Sequence, residues 1–235
     1  MKMLITGGTG SLGEALIKEF YSDYEITFTY HDNIDKKEEL SRTYNSKGIS
    51  IEELKQSVFD YDVVINCAGI NIDPKITEDY SIDCFRKVLD VNVLLPFEII
   101  KKSLPYMKNN KYGRIINVSS IYAIKPEVEM IGYNASKSAL ITLTKTIAKE
   151  YGDYGITANC VLPSTFESKT MDDIMNEYTH SEEERKEYLN DLVKDNAIKR
   201  LLTAKEIAKL IKYLISDDAS FITGTAIPID GGYSI

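Results

Sequence analysis

Histidine is scarce. His31 and His180 are the only two in 235 residues, which excludes a His-rich metal site. Cysteine is scarce too: Cys67, Cys84 and Cys160 lie far apart, with no Cys-x-x-Cys pair and no histidine cluster beside them. They read as buried, reduced thiols of a reducing compartment rather than as a disulfide framework. No stretch approaches the roughly 18 apolar residues of a membrane span. Basic blocks are missing as well. The 28 Lys and Arg residues are dispersed among 36 Asp and Glu, for a net charge of -8, whereas nucleic-acid binding needs clustered basic side chains. There is no internal repeat and no low-complexity linker. The N-terminal run Met1-Lys2-Met3-Leu4-Ile5-Thr6-Gly7-Gly8 enters a strand-turn signal at once, so no signal peptide and a cytoplasmic location are expected.

What is there is ordinary for one globular domain: 43% hydrophobic and 27% charged residues, in a chain long enough for one filled α/β core and short for two. Strand and helix patterns alternate. Strands are expected at Met3–Thr6, Glu25–Tyr30, Asp62–Asn66, Arg114–Ser119, Thr157–Leu162 and Thr225–Ile229. Helices are expected at Leu12–Phe20, about 35–46, after the capping-box signal Ser50-Ile51-Glu52-Glu53, about 81–109, 131–151 and 203–215. Such alternation implies an α/β fold, a mostly parallel sheet with helices on both faces. Residues 166–199, dense in Glu, Asp and Lys, read as an exposed helical insertion. Within it Met171, Ile174, Met175, Tyr178 and Leu189 could turn an apolar face to a substrate, or belong to an interface or a plain solvent-facing helix.

The first turn, Thr6-Gly7-Gly8-Thr9-Gly10-Ser11-Leu12-Gly13, holds Gly8-x-Gly10-x-x-Gly13 between a strand and a helix. Glycines let backbone N–H groups approach a pyrophosphate at the helix N-terminus, where the dipole favours anions; a glycine-rich turn can also be a plain loop. After the second strand stand Tyr30, His31 and Asp32. Tyr30 occupies the place of an acid that would accept a ribose 2′-OH, and His31 is weakly basic, so NADP(H) is favoured over NAD(H). His31 could equally be a solvated loop residue. Asn66-Cys67-Ala68-Gly69 ends the fourth strand, where open α/β sheets place ligands.

Tyr133-Asn134-Ala135-Ser136-Lys137 puts Tyr133 and Lys137 one helical turn apart on one face. Among 16 tyrosines only Tyr133 has a lysine at that spacing. Ser120 ends a preceding strand, and Asn92 sits inside the long helix. Reduction of a carbonyl by hydride leaves an alkoxide that needs a proton, and a phenol with pKa about 10 is a poor base at neutral pH. An ammonium beside it is expected to lower that pKa, and a serine hydroxyl can stabilise charge on the substrate oxygen. Lys137 can also hold ribose hydroxyls, and Asn92 can bind a water relaying protons to Lys137. Taken singly, Ser120 could be a cap, Asn92 a helix-bending residue and Tyr133 part of an apolar core; together with the glycine turn they point to catalysis.

These residues resemble the short-chain dehydrogenase/reductase family, in particular its single-domain branch with 3-oxoacyl-carrier-protein reductases. The resemblance also takes in Val161-Leu162-Pro163, Phe221-Ile222-Thr223-Gly224 and Asp230-Gly231-Gly232. It implies one Rossmann-type, doubly wound domain over residues 1–235 with a seven-stranded sheet, and a helical substrate lid at about 164–200. It further implies an Asn92-Ser120-Tyr133-Lys137 tetrad. The implied cofactor site runs through Gly7, Gly8, Thr9, Gly10, Ser11, Leu12 and Gly13, then Tyr30 and His31, Asn66, Cys67, Ala68 and Gly69, Tyr133 and Lys137, and Pro163, Ser164 and Ser168; no metal is implied. Ser168 falls where the family has a Thr near the cofactor amide. The implied activity is NAD(P)(H)-dependent hydride transfer, most closely a ketoreductase acting on a 3-oxoacyl thioester or another small-molecule or acyl-carrier carbonyl. A homodimer or homotetramer built through the two long helices and the C-terminal region is also implied. Three departures stand out. Ser11 replaces the middle glycine of Thr-Gly-x-x-x-Gly-x-Gly, Ser164 replaces a glycine after Pro163, and no acid follows the third strand, where Ser50 is the nearest substitute. The Gly10 spacing looks more like sugar-nucleotide-modifying members, which keeps a keto-sugar reductase open; a protein that binds NAD(P) without turnover is the remaining alternative.

Overall fold

Parallel strands buried on both faces need no polar alternation, and β1 (Lys2–Ile5) shows why in the computed structural model, which describes residues 1–235. Its Met3 and Ile5 point to one apolar core and Leu4 to another. The central strands β4 (Val63–Asn66) and β5 (Gly113–Val118) divide their side chains the same way. With β2 (Glu25–Thr29), β3 (Lys47–Ile49), β6 (Ile156–Pro163) and β7 (Ala226–Ile229) they form one seven-stranded sheet in the order β3-β2-β1-β4-β5-β6-β7. Every pairing is parallel.

Helices fill both faces. On one side lie α1 (Ser11–Phe20), α2 (Ile34–Tyr44) and α9 (Ala204–Ile215), whose Leu16, Ile17, Leu40, Ile207 and Ile211 are fully buried. On the other, α3 (Ile51–Gln56), α5 (Leu95–Asn110) and α6 (Ile131–Tyr151) contribute Leu54, Ile99, Ile100 and Ile147. Each such Leu or Ile contributes about 1.5–3 kcal/mol by leaving water. No helix is long and apolar enough to cross a membrane.

Three expectations need correction. The helix expected over 81–109 is α4 (Ile82–Leu89), one π-helical turn at Asp90–Leu94, then α5. The extra residue in that turn aims Asn92 inward, which a regular ladder would not do. The third strand, Lys47–Ile49, has no apolar run of its own and exists by pairing with β2. The segment read as an exposed insertion comprises α7 (Lys169–Tyr178) and α8 (Glu182–Leu192), and is anchored by buried Met175 and Val193.

Candidate active site

The order of strands reverses between β1 and β4, and ligands in open α/β sheets lie in the crevice beyond the strand ends at such a point. The glycine turn stands there. Gly7 takes φ 70° and donates its N–H to Thr29 Oγ1 at 3.0 Å. A Cβ at Gly8 would lie 2.4 Å from the Phe28 ring, and one at Gly13 only 2.2 Å from Gly7 O. Gly10 has no such constraint; its nearest neighbour would be Gly7 O at 3.4 Å. The structural glycines are therefore Gly7, Gly8 and Gly13, and the unusual position of Gly10 carries no steric weight. No side chain caps α1, so its first-turn N–H groups face outward as donors for an anion. A dinucleotide's pyrophosphate fits this cradle.

Thr6, which sequence reasoning passed over, holds the crevice open. Its Oγ1 accepts from Cys67 N and Ala68 N, each at 3.0 Å, tying the end of β1 to the turn after β4. A hydroxyl between an apolar strand and a glycine is the signal that could have found it. Asn66, expected at the cofactor, instead faces inward. It is 1% exposed, and its Nδ2 donates to Asn117 Oδ1 at 2.8 Å. Asn117 Nδ2 in turn donates to Thr144 Oγ1 at 2.8 Å, so the pair locks β4 and β5 to α6.

That lock positions the chemistry. Ser120, just after β5, is buried, accepts from Tyr122 N at 3.2 Å and lines the same cleft as Tyr133, whose phenol it influences. It is thus a cap and a site residue at once. Lys137 is 3% exposed; its Nζ donates to Val118 O at 2.9 Å and lies 5.4 Å from the Tyr133 ring centroid. A Cβ on Gly69 would come within 3.0 Å of that Nζ, so a small residue is needed to leave the ammonium room. Burial lowers the Lys137 pKa to about 8. Burial raises Tyr133, with the Ser120 hydrogen bond pulling the other way. Lys137 Nζ makes its hydrogen bond to Val118 O rather than to the phenol. Tyr133 therefore stays a protonated phenol at neutral pH.

Asn92 is fully buried. Its Oδ1 accepts from Ile70 N at 2.8 Å, and its Nδ2 donates to Ile70 O at 2.9 Å and to Ser136 Oγ at 3.0 Å. Ser136, also unforeseen, donates to Tyr133 O at 2.7 Å. The side chain expected to hold a relay water is thus committed to protein, and it acts by joining the Ile70 rim to the helix of Tyr133.

A cleft of 360 Å³ runs over these groups. Of the residues expected at a cofactor, Leu12, Cys67, Gly69, Pro163, Ser164 and Ser168 line it, while Ile70, Met130 and Phe166 are additions that no local motif marks. Met171 and Ile174 of α7 face the cleft, whereas Tyr178 is 66% exposed. Ser168 caps α7 through Met171 N at 3.1 Å, and Ser11 Oγ accepts from Lys169 N at 3.1 Å. The serine that replaces a glycine thereby links the phosphate turn to α7. Tyr30 and His31 lie outside the cleft at the end of β2; Tyr30 N donates to Ile49 O, and Lys37 Nζ stands 5.7 Å from the Tyr30 ring centroid. Ser50, the substitute for an adenine-contacting acid, caps α3 in a capping box with Glu53. No group of His, Cys, Asp and Glu is placed to hold a metal.

A family model described as Enoyl-(Acyl carrier protein) reductase matches residues 16–234. The chain belongs to the short-chain dehydrogenase/reductase family. As members are, it is an NAD(P)-dependent oxidoreductase. Among relatives, Dehydrogenase/reductase SDR family member 6 of Aquarana catesbeiana is 31% identical over 99% of this chain and 97% of its own length. Glucose 1-dehydrogenase 2 of Bacillus subtilis (strain 168) is 28% identical over 99% and 94%. D-beta-hydroxybutyrate dehydrogenase of Rhizobium meliloti (strain 1021) is 32% identical over 74% and 67%. The solved structure of ElxO with NADP bound superposes with a TM-score of 0.85 at 28% identity, covering 99% of each chain.

Proposed function

We propose that this short-chain dehydrogenase/reductase is a ketoreductase that uses NADP(H) and takes a 3-oxoacyl thioester or a similar small ketone to its alcohol. The observation that carries the reading is the buried Ser120 hydroxyl and the Tyr133 phenol lining one cleft, with Lys137 Nζ 5.4 Å from the phenol ring. A nicotinamide cofactor supplies the hydride when bound, with α1 and its glycine turn toward the phosphates and Lys137 toward the ribose. Ser120 Oγ donates to the carbonyl oxygen and stabilises charge as it builds there. Tyr133 Oη gives its proton to the same oxygen; a phenol raised by burial is in the right state for that step. Ile70, Met130, Phe166 and Met171 offer an apolar wall to the alkyl part of the ketone. NADP(H) is supported by Tyr30 in place of an acid, by Lys37 beside it, and by the NADP in the ElxO relative.

Replacing Tyr133 with Phe removes the proton donor and leaves the cradle untouched. NADPH binding followed by fluorescence should be retained, while turnover of a ketone panel falls by roughly 10²–10⁴-fold. Undiminished turnover would defeat the reading. We also propose a cytoplasmic homodimer or homotetramer, supported by the exposed apolar Leu94 in the π-helical turn, Phe97 on α5 and Phe221 near the C-terminus; light scattering should give a multiple of 26.6 kDa.

A further inference from the structure

Ser11, the serine at a glycine position of the nucleotide turn, is the first residue of α1 and is half-buried. The turn meets phosphates through backbone N–H groups, and any residue except proline supplies one there. Its side chain is engaged elsewhere. Ser11 Oγ accepts from Lys169 N at 3.1 Å, across 158 residues of chain. Lys169 opens α7, and the first N–H groups of a helix have no partner inside it. A glycine in place of Ser11 offers that N–H no acceptor.

This bond is the one polar tie between α7 and the body of the protein. The other side-chain hydrogen bonds of α7 stay inside the lid. Ser168 Oγ accepts from Met171 N at 3.1 Å, and Arg185 of α8 donates to Asn176 Oδ1 at 3.2 Å and to Asp172 Oδ1 at 2.8 Å. The α8 helix buries no residue, so it braces α7 without fixing it to the sheet. Met175 is buried and holds α7 by packing, a force without direction. Thr170, Met171 and Ile174 of the same helix line the cleft together with Ser120, Tyr133 and Leu12, the residue after Ser11. The pose of this apolar wall is thus set by non-directional burial and by one directional bond, made to a side chain of the nucleotide turn.

We propose that Ser11 is a positioning residue for the ketone rather than a cofactor ligand: its hydroxyl fixes the start of α7, and through it the Met171 and Ile174 wall that the substrate meets. The proposal rests on carbonyl reduction at Tyr133 and places a determinant of ketone affinity inside the nucleotide turn.

The test is Ser11→Ala, which keeps every backbone donor of the turn, keeps a good helix former in α1 and removes only the acceptor for Lys169 N. NADPH affinity, read by fluorescence titration, should stay within about twofold of the parent. KM for ethyl 3-oxobutanoate should rise about three- to tenfold, the worth of one net hydrogen bond, with kcat moved by less than about twofold. The amides of Met171–Ile174, which Ser11 does not touch, should exchange with solvent deuterium faster in this variant. Ser11→Thr, which keeps the hydroxyl, should return both KM and exchange toward the parent. Weakened NADPH binding with KM unmoved would make Ser11 a phosphate ligand and overturn the proposal. Exchange over Met171–Ile174 that is the same in Ser11→Ala and parent would overturn it too. If the parent binds NADPH but reduces no ketone, the carbonyl reading falls, and the exchange measurement alone decides for or against Ser11 as the anchor of α7.

Discussion

Replacing Asn92 with Leu keeps the volume and removes three hydrogen bonds at once. Ile70 N–H, Ile70 C=O and Ser136 Oγ all lose their partner. Asn92 itself is fully buried, but Ile70 is half-buried and on the cleft rim, so water recovers part of what Ile70 loses. With about 1–3 kcal/mol for each buried polar group left unpaired, the expected loss is about 2–4 kcal/mol rather than the full sum. For a chain of this length one kcal/mol moves the melting temperature by about 2–4 °C, so calorimetry should show a drop of roughly 5–15 °C. The π-helical turn exists to aim this side chain, so the same variant should also lose order at Ile70, seen as faster amide exchange of Ile70 and its neighbours. Asn92→Asp separates the parts: it keeps an acceptor for Ile70 N and loses both donors. A Leu variant melting within about 1 °C of the parent would show that the network neither stabilises the fold nor positions the rim.

Two further outcomes follow from the site. The pH dependence of ketone reduction should be flat around neutrality and decline above pH about 8, because burial places the Lys137 pKa there and the ammonium is lost as pH rises through it. A rate held constant well past pH 9 would remove Lys137 from the mechanism. The same shift costs stability below pH about 8, where the folded state must bury a charged amine, and that cost is relieved as pH rises toward the ordinary lysine range. Gly13→Ala should cost about 1–3 kcal/mol and weaken NADPH binding together, since its Cβ would press on the Gly7 and Gly8 backbone, which cannot swing aside as a side chain can. Gly10→Ala should cost under about 1 kcal/mol, as its nearest contact is an ordinary one. Equal effects on melting and fluorescence titration at the two positions would contradict the geometry.

Much of this protein was legible in local pattern. Val63–Ile65 and Cys160–Leu162 are continuous apolar runs, as a strand buried on both faces requires. The glycine turn and the Tyr133–Lys137 spacing are short-range facts, fixed by the reach of a few residues along one chain. Other features depend on what long-range packing brings alongside. Lys47–Ile49 is a strand because β2 supplies its hydrogen bonds. Asn66 carries the pattern of a ligand contact, yet Asn117, fifty-one residues away, captures its side chain. The acid–base state of the site was not in the sequence either. The order of residues places an amine one turn from a phenol, but their pKa values follow first from how much water each retains, and only the assembled β5 and α6 decide that. Local covalent order sets which groups can meet; desolvation and partner choice, which belong to tertiary structure, set what they do.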